Sequence, residues 1–304
     1  MIEVSALTKR YGDKLAVDDL SFRVRPGQVT GFLGPNGAGK STTMRLMLGL
    51  DSGGGRTTFD GKPYAELTDP VLQVGAMLEA KAFHPTRSAR NHLRMLSAPS
   101  RIPDRRVDEV LDLVGLAAVA SQAPKGFSLG MGQRLGLAAA LLGDPAALIL
   151  DEPANGLDPQ GINWLRGFLQ SYAASGRTVL VSSHLLAEMA QMADHLVVIG
   201  RGRLINDVAT AEFVAGSSVN AVTVRTPQAD QLVELLSREG AAVTAESGGV
   251  LVVTGLEPAR IGELSFAAGI VLHELAPRIA TLEEAFLEAT ADAQEFASPP
   301  GDAA

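Results

Sequence analysis

The sequence predicts an α/β fold, a mostly parallel sheet flanked by helices with a helical insertion, followed by a small α+β domain of βαββαβ order. Three observations lead there. Short apolar runs at 29–33, 147–150, 178–182 and 196–199 have the length and uniform hydropathy of buried parallel strands. Stretches with helical spacing separate them. Past Gly216-Ser217-Ser218, a linker composition, a second series of strand and helix patterns begins.

In chain order, residues 2–7 and 20–24 read as strands rich in β-branched and apolar residues, and 29–33 as a third, buried strand ending at glycine. The helix after Gly39-Lys40 carries Met44, Leu46, Met47, Leu48 and Leu50, too apolar for a surface helix, so it packs on the sheet. Residues 87–143 form the helical insertion. There Val107, Val110, Leu111 and Val114 recur at three-and-four spacing between a start at Pro103-Asp104 and a stop at Gly115. Helices at 160–172 and 184–192 alternate with the later strands. The second domain reads as strand 221–225, helix 228–239, two strands joined by Ser247-Gly248-Gly249, helix 257–268 and strand 270–275, a ferredoxin-like order. Helix 281–290 and a loose tail, 291–304, follow.

Composition narrows the function. The 304 residues are 46% hydrophobic and 20% charged, which is globular composition, and the absence of cysteine excludes disulfides, thiolate nucleophiles and thiolate-held metals. A net charge of −8 argues against nucleic-acid binding and against unaided adsorption to anionic lipid. The richest apolar stretch, 135–150, is broken by Asp144 and Pro145, short of the roughly 18 residues a spanning helix needs, so no direct membrane insertion is expected. Met1-Ile2-Glu3-Val4 does not open an export signal, which points to the cytoplasm. Membrane association then runs through a protein partner.

Gly34-Pro35-Asn36-Gly37-Ala38-Gly39-Lys40-Ser41, followed by Thr42, matches the P-loop pattern between a predicted strand and a predicted helix. The chemistry explains each residue type. Glycines let backbone N–H groups curl around phosphate, the helix N-terminus adds its positive dipole, Lys40 neutralises the β- and γ-phosphates, and the Ser41 hydroxyl ligates Mg²⁺. The strand 147–150 ends in Asp151-Glu152-Pro153, placing a Mg²⁺ anchor at Asp151 and a general base for the attacking water at Glu152.

With these motifs, residues 1–215 resemble the nucleotide-binding subunit of an ATP-binding cassette (ABC) transporter. The resemblance implies a P-loop NTPase cassette with an antiparallel β subdomain, binding ATP and Mg²⁺ and acting as an ATPase. It also assigns residues. Tyr11 stacks on adenine through its ring face, unless it is an ordinary surface aromatic. Asn155-Gly156-Leu157-Asp158 is the segment that communicates across a cassette dimer, and Asp158 is counted with the nucleotide contacts. In Ser182-Ser183-His184 the histidine senses the γ-phosphate as a catalytic switch. Residues 127–134 hold the signature position, where Ser128 and Gly130 match and face the nucleotide of the opposite subunit, while Leu129 and Met131 depart from the family's pattern. Ser128 alone would be a plain helix cap.

In the loop 74–80, Glu79 stands where the family places a glutamine that reaches Mg²⁺, with a direct, water-mediated or purely electrostatic role. The basic and aromatic stretch Lys81, Phe83, His84, Arg87, Arg90 and Arg94 beside it is either the docking place of a transmembrane partner or a solvated helix face. These departures, with the ending at 280–287, resemble the branch serving drug, antibiotic or bacteriocin exporters. The implied protein is a head-to-tail homodimer on the inner face of the cell membrane, driving a separately encoded permease, with residues 218–290 as a regulatory or dimerisation domain. The alternative is a soluble ABC ATPase acting on nucleic acid or as a nucleotide-dependent switch.

Overall fold

A tight hairpin starts the fold. Gly12, at φ +55°, and Asp13 turn β1 (Ile2–Tyr11) into β2 (Lys14–Val24), with Tyr11 opposite Lys14. Then come β3 (Val29–Leu33), α1 (Lys40–Met47), β4 (Gly54–Phe59) and β5 (Val74–Met77). The insertion contributes α2 (Ala89–Ser97), α3 (Asp104–Leu113) and α4 (Leu129–Ala140). Next are β6 (Ala147–Leu150), α5 (Pro159–Ala174), β7 (Thr178–Ser182), α6 (Leu186–Met192), β8 (His195–Gly200), β9 (Arg203–Ala209) and α7 (Thr210–Ala215). The chain ends in β10 (Ala221–Arg225), α8 (Ala229–Arg238), β11 (Ala242–Glu246), β12 (Val250–Thr254), α9 (Pro258–Ala267), β13 (Glu274–Arg278) and α10 (Leu282–Thr290). This computed structural model describes residues 1–79, 83–217, 221–246, 249–278 and 280–291. Lys81, Ser218, Ser247, Gly248 and the predicted tail from 292 onward lie outside the described residues.

Contacts divide the chain into a first unit, Met1–Thr210 with the chain from Thr290 onward, and a second, Ala211–Ala289. In the first, six strands run in the order β5-β6-β7-β3-β8-β9, parallel except for the antiparallel pair β8–β9. Every residue of β3, β6 and β7 is buried, as expected of strands covered on both faces. A separate antiparallel sheet, β2-β1-β4, is joined to the main one by aromatic packing, with Phe22 and Phe32 stacked at 5.4 Å. Because these strands are parallel, the C-terminal ends of β3, β6 and β7 lie together at one end of the sheet. The second unit is a four-stranded antiparallel sheet of order β11-β12-β10-β13, whose Val222, Val224, Leu251 and Val253 form a core with Leu232 and Leu236 of α8 and Ile261 of α9.

Three expectations need correction. Residues 74–77, read as part of a loop, are strand β5 paired with Ala147–Leu150; a Cβ at Gly75 would lie 2.1 Å from the Ala140 carbonyl oxygen, so glycine admits the close approach of α4. The strand expected at 270–275 runs instead over Glu274–Arg278. Ile270 closes α9 by donating its N–H to the Ser265 carbonyl, and Pro277 is tolerated because β13 is an edge strand. The helix expected from residue 184 begins at Leu186, because the His184 N–H is drawn to the Glu152 carboxylate and the Leu185 N–H to the Ser183 hydroxyl. Strands β4 and β9 carry no strand pattern in the sequence, both being exposed over half their residues or more.

Candidate active site

The P-loop spans the turn from β3 to α1, and two of its glycines are sterically required. A Cβ at Gly34 would meet the Ile199 carbonyl oxygen at 2.6 Å; at Gly39, where φ is +103°, it would meet the Ala16 carbonyl oxygen at 2.5 Å. Lys40 Nζ donates to the carbonyls of Gly34 (2.6 Å) and Pro35 (3.3 Å). Burial pulls the Lys40 ammonium below its usual range, and the Glu152 and Asp151 carboxylates act against that. The loop edges a cleft of about 480 Å³ lined by residues 36–42, Asp151, Glu152, Tyr11, Lys14 and Ala16. Sequence reasoning named all of these except Lys14 and Ala16, which come from β2 and follow no motif.

Asp151 is held from two sides. Its carboxylate accepts from Ser41 Oγ (2.5 Å) and from Ser182 Oγ (2.5 Å), the latter at the end of β7. A neutral and an anionic hard oxygen thus meet at the cleft, a donor pair that suits Mg²⁺, whose remaining ligands are ordinarily phosphate and water. Glu152 adopts φ +51°, in the left-handed region, a conformation that a non-glycine residue keeps only when its surroundings impose it. They do so here. Its N–H donates to Ser182 Oγ (2.9 Å), its carbonyl accepts from Gln133 Nε2 (3.1 Å) and from the Asn155 N–H (3.1 Å), and its carboxylate binds His184 Nδ1 (2.6 Å) and the His184 N–H (3.2 Å). Base and switch histidine are therefore one hydrogen-bonded pair. No motif revealed Gln133 in this role.

Tyr11 stands at the cleft with its ring about half exposed and its hydroxyl donating to Asp51 (2.8 Å), a bond that pushes the phenol pKa up. Arg45 Nε in turn donates to Asp51 (3.0 Å), so an arginine and a carboxylate fix the tyrosine.

Other predicted residues lie elsewhere. Ser128 caps α4, accepting from the Met131 N–H (3.2 Å), and Asp158 caps α5, accepting from the Gly161 N–H (2.9 Å). Neither lines the cleft. The two caps are neighbours, since a Cβ at Gly130 would lie 2.9 Å from the Gly156 carbonyl oxygen. Glu79 follows β5, whose Met77 carbonyl accepts from the Asp151 N–H (2.7 Å); it lines a separate groove of about 420 Å³ with Arg45, Leu78, Phe83, His92 and Leu96. His92 in that wall is buried, its Nδ1 has no partner among the described residues, and burial followed by Arg87 pushes its pKa down. Of the basic stretch beside it, Arg90 pairs with Asp108 (3.2 Å) and Arg94 with Asp104 (2.9 Å), both on α3, while Phe83 meets His92 edge-on at 6.3 Å.

The family model described as ABC transporter matches residues 17–155, and one for a domain of unknown function matches residues 220–283. The chain is 36% identical over 301 residues to the ABC transporter ATP-binding protein YhcH of Bacillus subtilis, across 97% of both chains. It is 40% identical over 212 residues to the bacitracin transport ATP-binding protein BcrA of Bacillus licheniformis, covering 68% of this chain and 69% of that one. Among solved structures, an ATP binding subunit of an ABC transporter superposes with a TM-score of 0.64 at 28% identity, over 71% of this chain and 92% of that chain.

Proposed function

We infer, from the premise that this chain belongs to the family of ABC transporter ATP-binding proteins, that it is an ATPase whose head-to-tail dimer closes on two Mg-ATP and drives a separate permease exporting a drug, antibiotic or peptide. The observation that carries this reading is the convergence of Lys40, Ser41, Asp151, Glu152 and His184 at the C-terminal ends of β3, β6 and β7. Lys40 and the P-loop N–H groups hold the β- and γ-phosphates, and Tyr11 offers its ring face to adenine. Ser41 and Asp151 would hold Mg²⁺, which supplies charge neutralisation between the phosphates. Glu152 takes the proton of the attacking water as the new P–O bond forms and the bond to the ADP oxygen breaks. His184 keeps the carboxylate in place and reaches toward the γ-phosphate.

Ser128 and Gly130 lie outside this cleft, which suits a role toward the nucleotide of a second copy. Among the described residues no helix is long and apolar enough to cross a membrane, so this reading gives the crossing to the permease and seats the subunit on the inner face of the membrane. The groove lined by Glu79 and Phe83 is the docking place in this reading. Likeness to a bacitracin transport protein supports export of an antibiotic-like cargo.

Glu152→Gln tests the proposal. Turnover should fall by at least about 100-fold while ATP still binds, and gel filtration with ATP and Mg²⁺ should show a dimer accumulating. Monomer alone, under conditions where the wild type hydrolyses ATP, rejects the closure mechanism.

A further inference from the structure

We propose that Gln133 is a positioning residue for Glu152, bracing the backbone of the general base against α4, the helix whose start carries Ser128 and Gly130. This rests on the reading of Glu152 as base. Gln133 is only 4% exposed, and its carboxamide donates from Nε2 to the Glu152 carbonyl at 3.1 Å. A carbonyl can accept only from the NH₂ end, which fixes the orientation of the amide. The other end, Oε1, is then buried with no partner among the described residues.

That combination is informative. An orphaned buried carbonyl oxygen destabilises a fold, and an apolar side chain of the same length would avoid it, so the position keeps a polar residue for the donor it supplies. What the donor holds is unusual too. Glu152 sits at φ +51°, where an ordinary residue relaxes unless it is restrained. Ser182 restrains the peptide before it and Asn155 the carbonyl after it, but Asn155 belongs to the same turn and moves with it. On the carbonyl side, Gln133 is the restraint that arrives from another element, as Ser182 of β7 is on the N–H side. Without it, rotation about the Glu152 backbone swings the carboxylate away from His184, 2.6 Å distant, and from the attacking water.

Gln133 lies five residues beyond Ser128, about 7.5 Å along the helix. A shift of the first turn of α4 is therefore delivered to the Glu152 carbonyl of the same chain. In a closed dimer, engagement of α4 at one nucleotide would set the base at the other.

Gln133→Met keeps the length of the side chain while deleting both the donor and the orphaned acceptor. The expected result is a melting temperature equal to or above wild type, ATP affinity within about two-fold, and kcat reduced at least about ten-fold. Gln133→Glu, which turns an acceptor toward the carbonyl, should show the same loss of kcat with a lower melting temperature. Wild-type kcat in Gln133→Met overturns the proposal. So does a loss of ATP affinity and melting temperature in step with turnover, the signature of a purely structural role. Glu152→Gln, measured alongside, separates the premise from the inference. If that variant still turns over ATP, the base itself is misassigned and the proposal falls with it.

Discussion

The cleft and the groove are similar in size, about 480 and 420 Å³, one at the C-terminal end of β6 and the other at that of its neighbour β5, yet they are built on opposite principles. In the cleft the polar groups bind one another: Lys40 its own loop carbonyls, Asp151 two hydroxyls, Glu152 an imidazole. In the groove most of the wall is apolar, with Glu79 and Arg45 among it, and the buried His92 Nδ1 has no partner among the described residues. A site that must stabilise charge during a reaction gains from groups already oriented, because no reorganisation is then needed. An apolar groove gains from surface still to be covered. The difference separates a place of chemistry from a place of contact.

That contrast can be broken most directly at Lys40. Lys40→Ala removes an ammonium on which both carboxylates act, and ATP turnover should drop by at least about 100-fold with weakened Mg-ATP binding, read by a phosphate-release assay. Turnover retained above a few percent would strip the cleft of its assignment. A smaller effect is expected in the groove. His92 has a pKa below its ordinary value of about 6.5, so the unfolded chain takes up its proton first as pH falls, and stability present above about pH 6.5 is lost on descending through the folded pKa. His92→Phe should flatten that dependence, losing less melting temperature than wild type between pH 7.5 and about 5.5; identical slopes would show that His92 does not titrate on unfolding. Smallest is Glu79→Gln. With the carboxylate on the groove side, ATP affinity should stay within about two-fold and the Mg²⁺ requirement of turnover within about three-fold. A ten-fold change in Mg²⁺ requirement would move Glu79 into the cleft.

The cleft was largely legible because its chemistry is written in contiguous strings. Residues 34–41 and 151–152 each specify a strand end, a turn and a charge within a few positions. What escaped was assembled across the chain. Gln133 reaches Glu152 over 19 residues, and Asp51 reaches Tyr11 over 40, and a hydrogen bond between distant side chains leaves no local pattern. β5 escaped for a different reason, since Val-Gly-Ala-Met is short and its glycine reads as a breaker until the Ala140 carbonyl is seen against it. β9 is mostly exposed and lacks the apolar run that marks its neighbours. At 270–275 the apolar residues are real, but Ile270 spends its burial on closing α9, so hydropathy placed the strand four residues early.

The ion pairs Arg90–Asp108 and Arg94–Asp104 bear on how the insertion responds to ionic strength. Both are exposed, worth about 0.2–1 kcal/mol each at low salt and less at high salt. Leu93, Val107, Val110 and Leu111, all buried, contribute about 1.5–3 kcal/mol apiece. Cohesion of the helical insertion is therefore oily rather than electrostatic. Salt would unfasten the outer stitches while leaving the buried seam of the insertion closed.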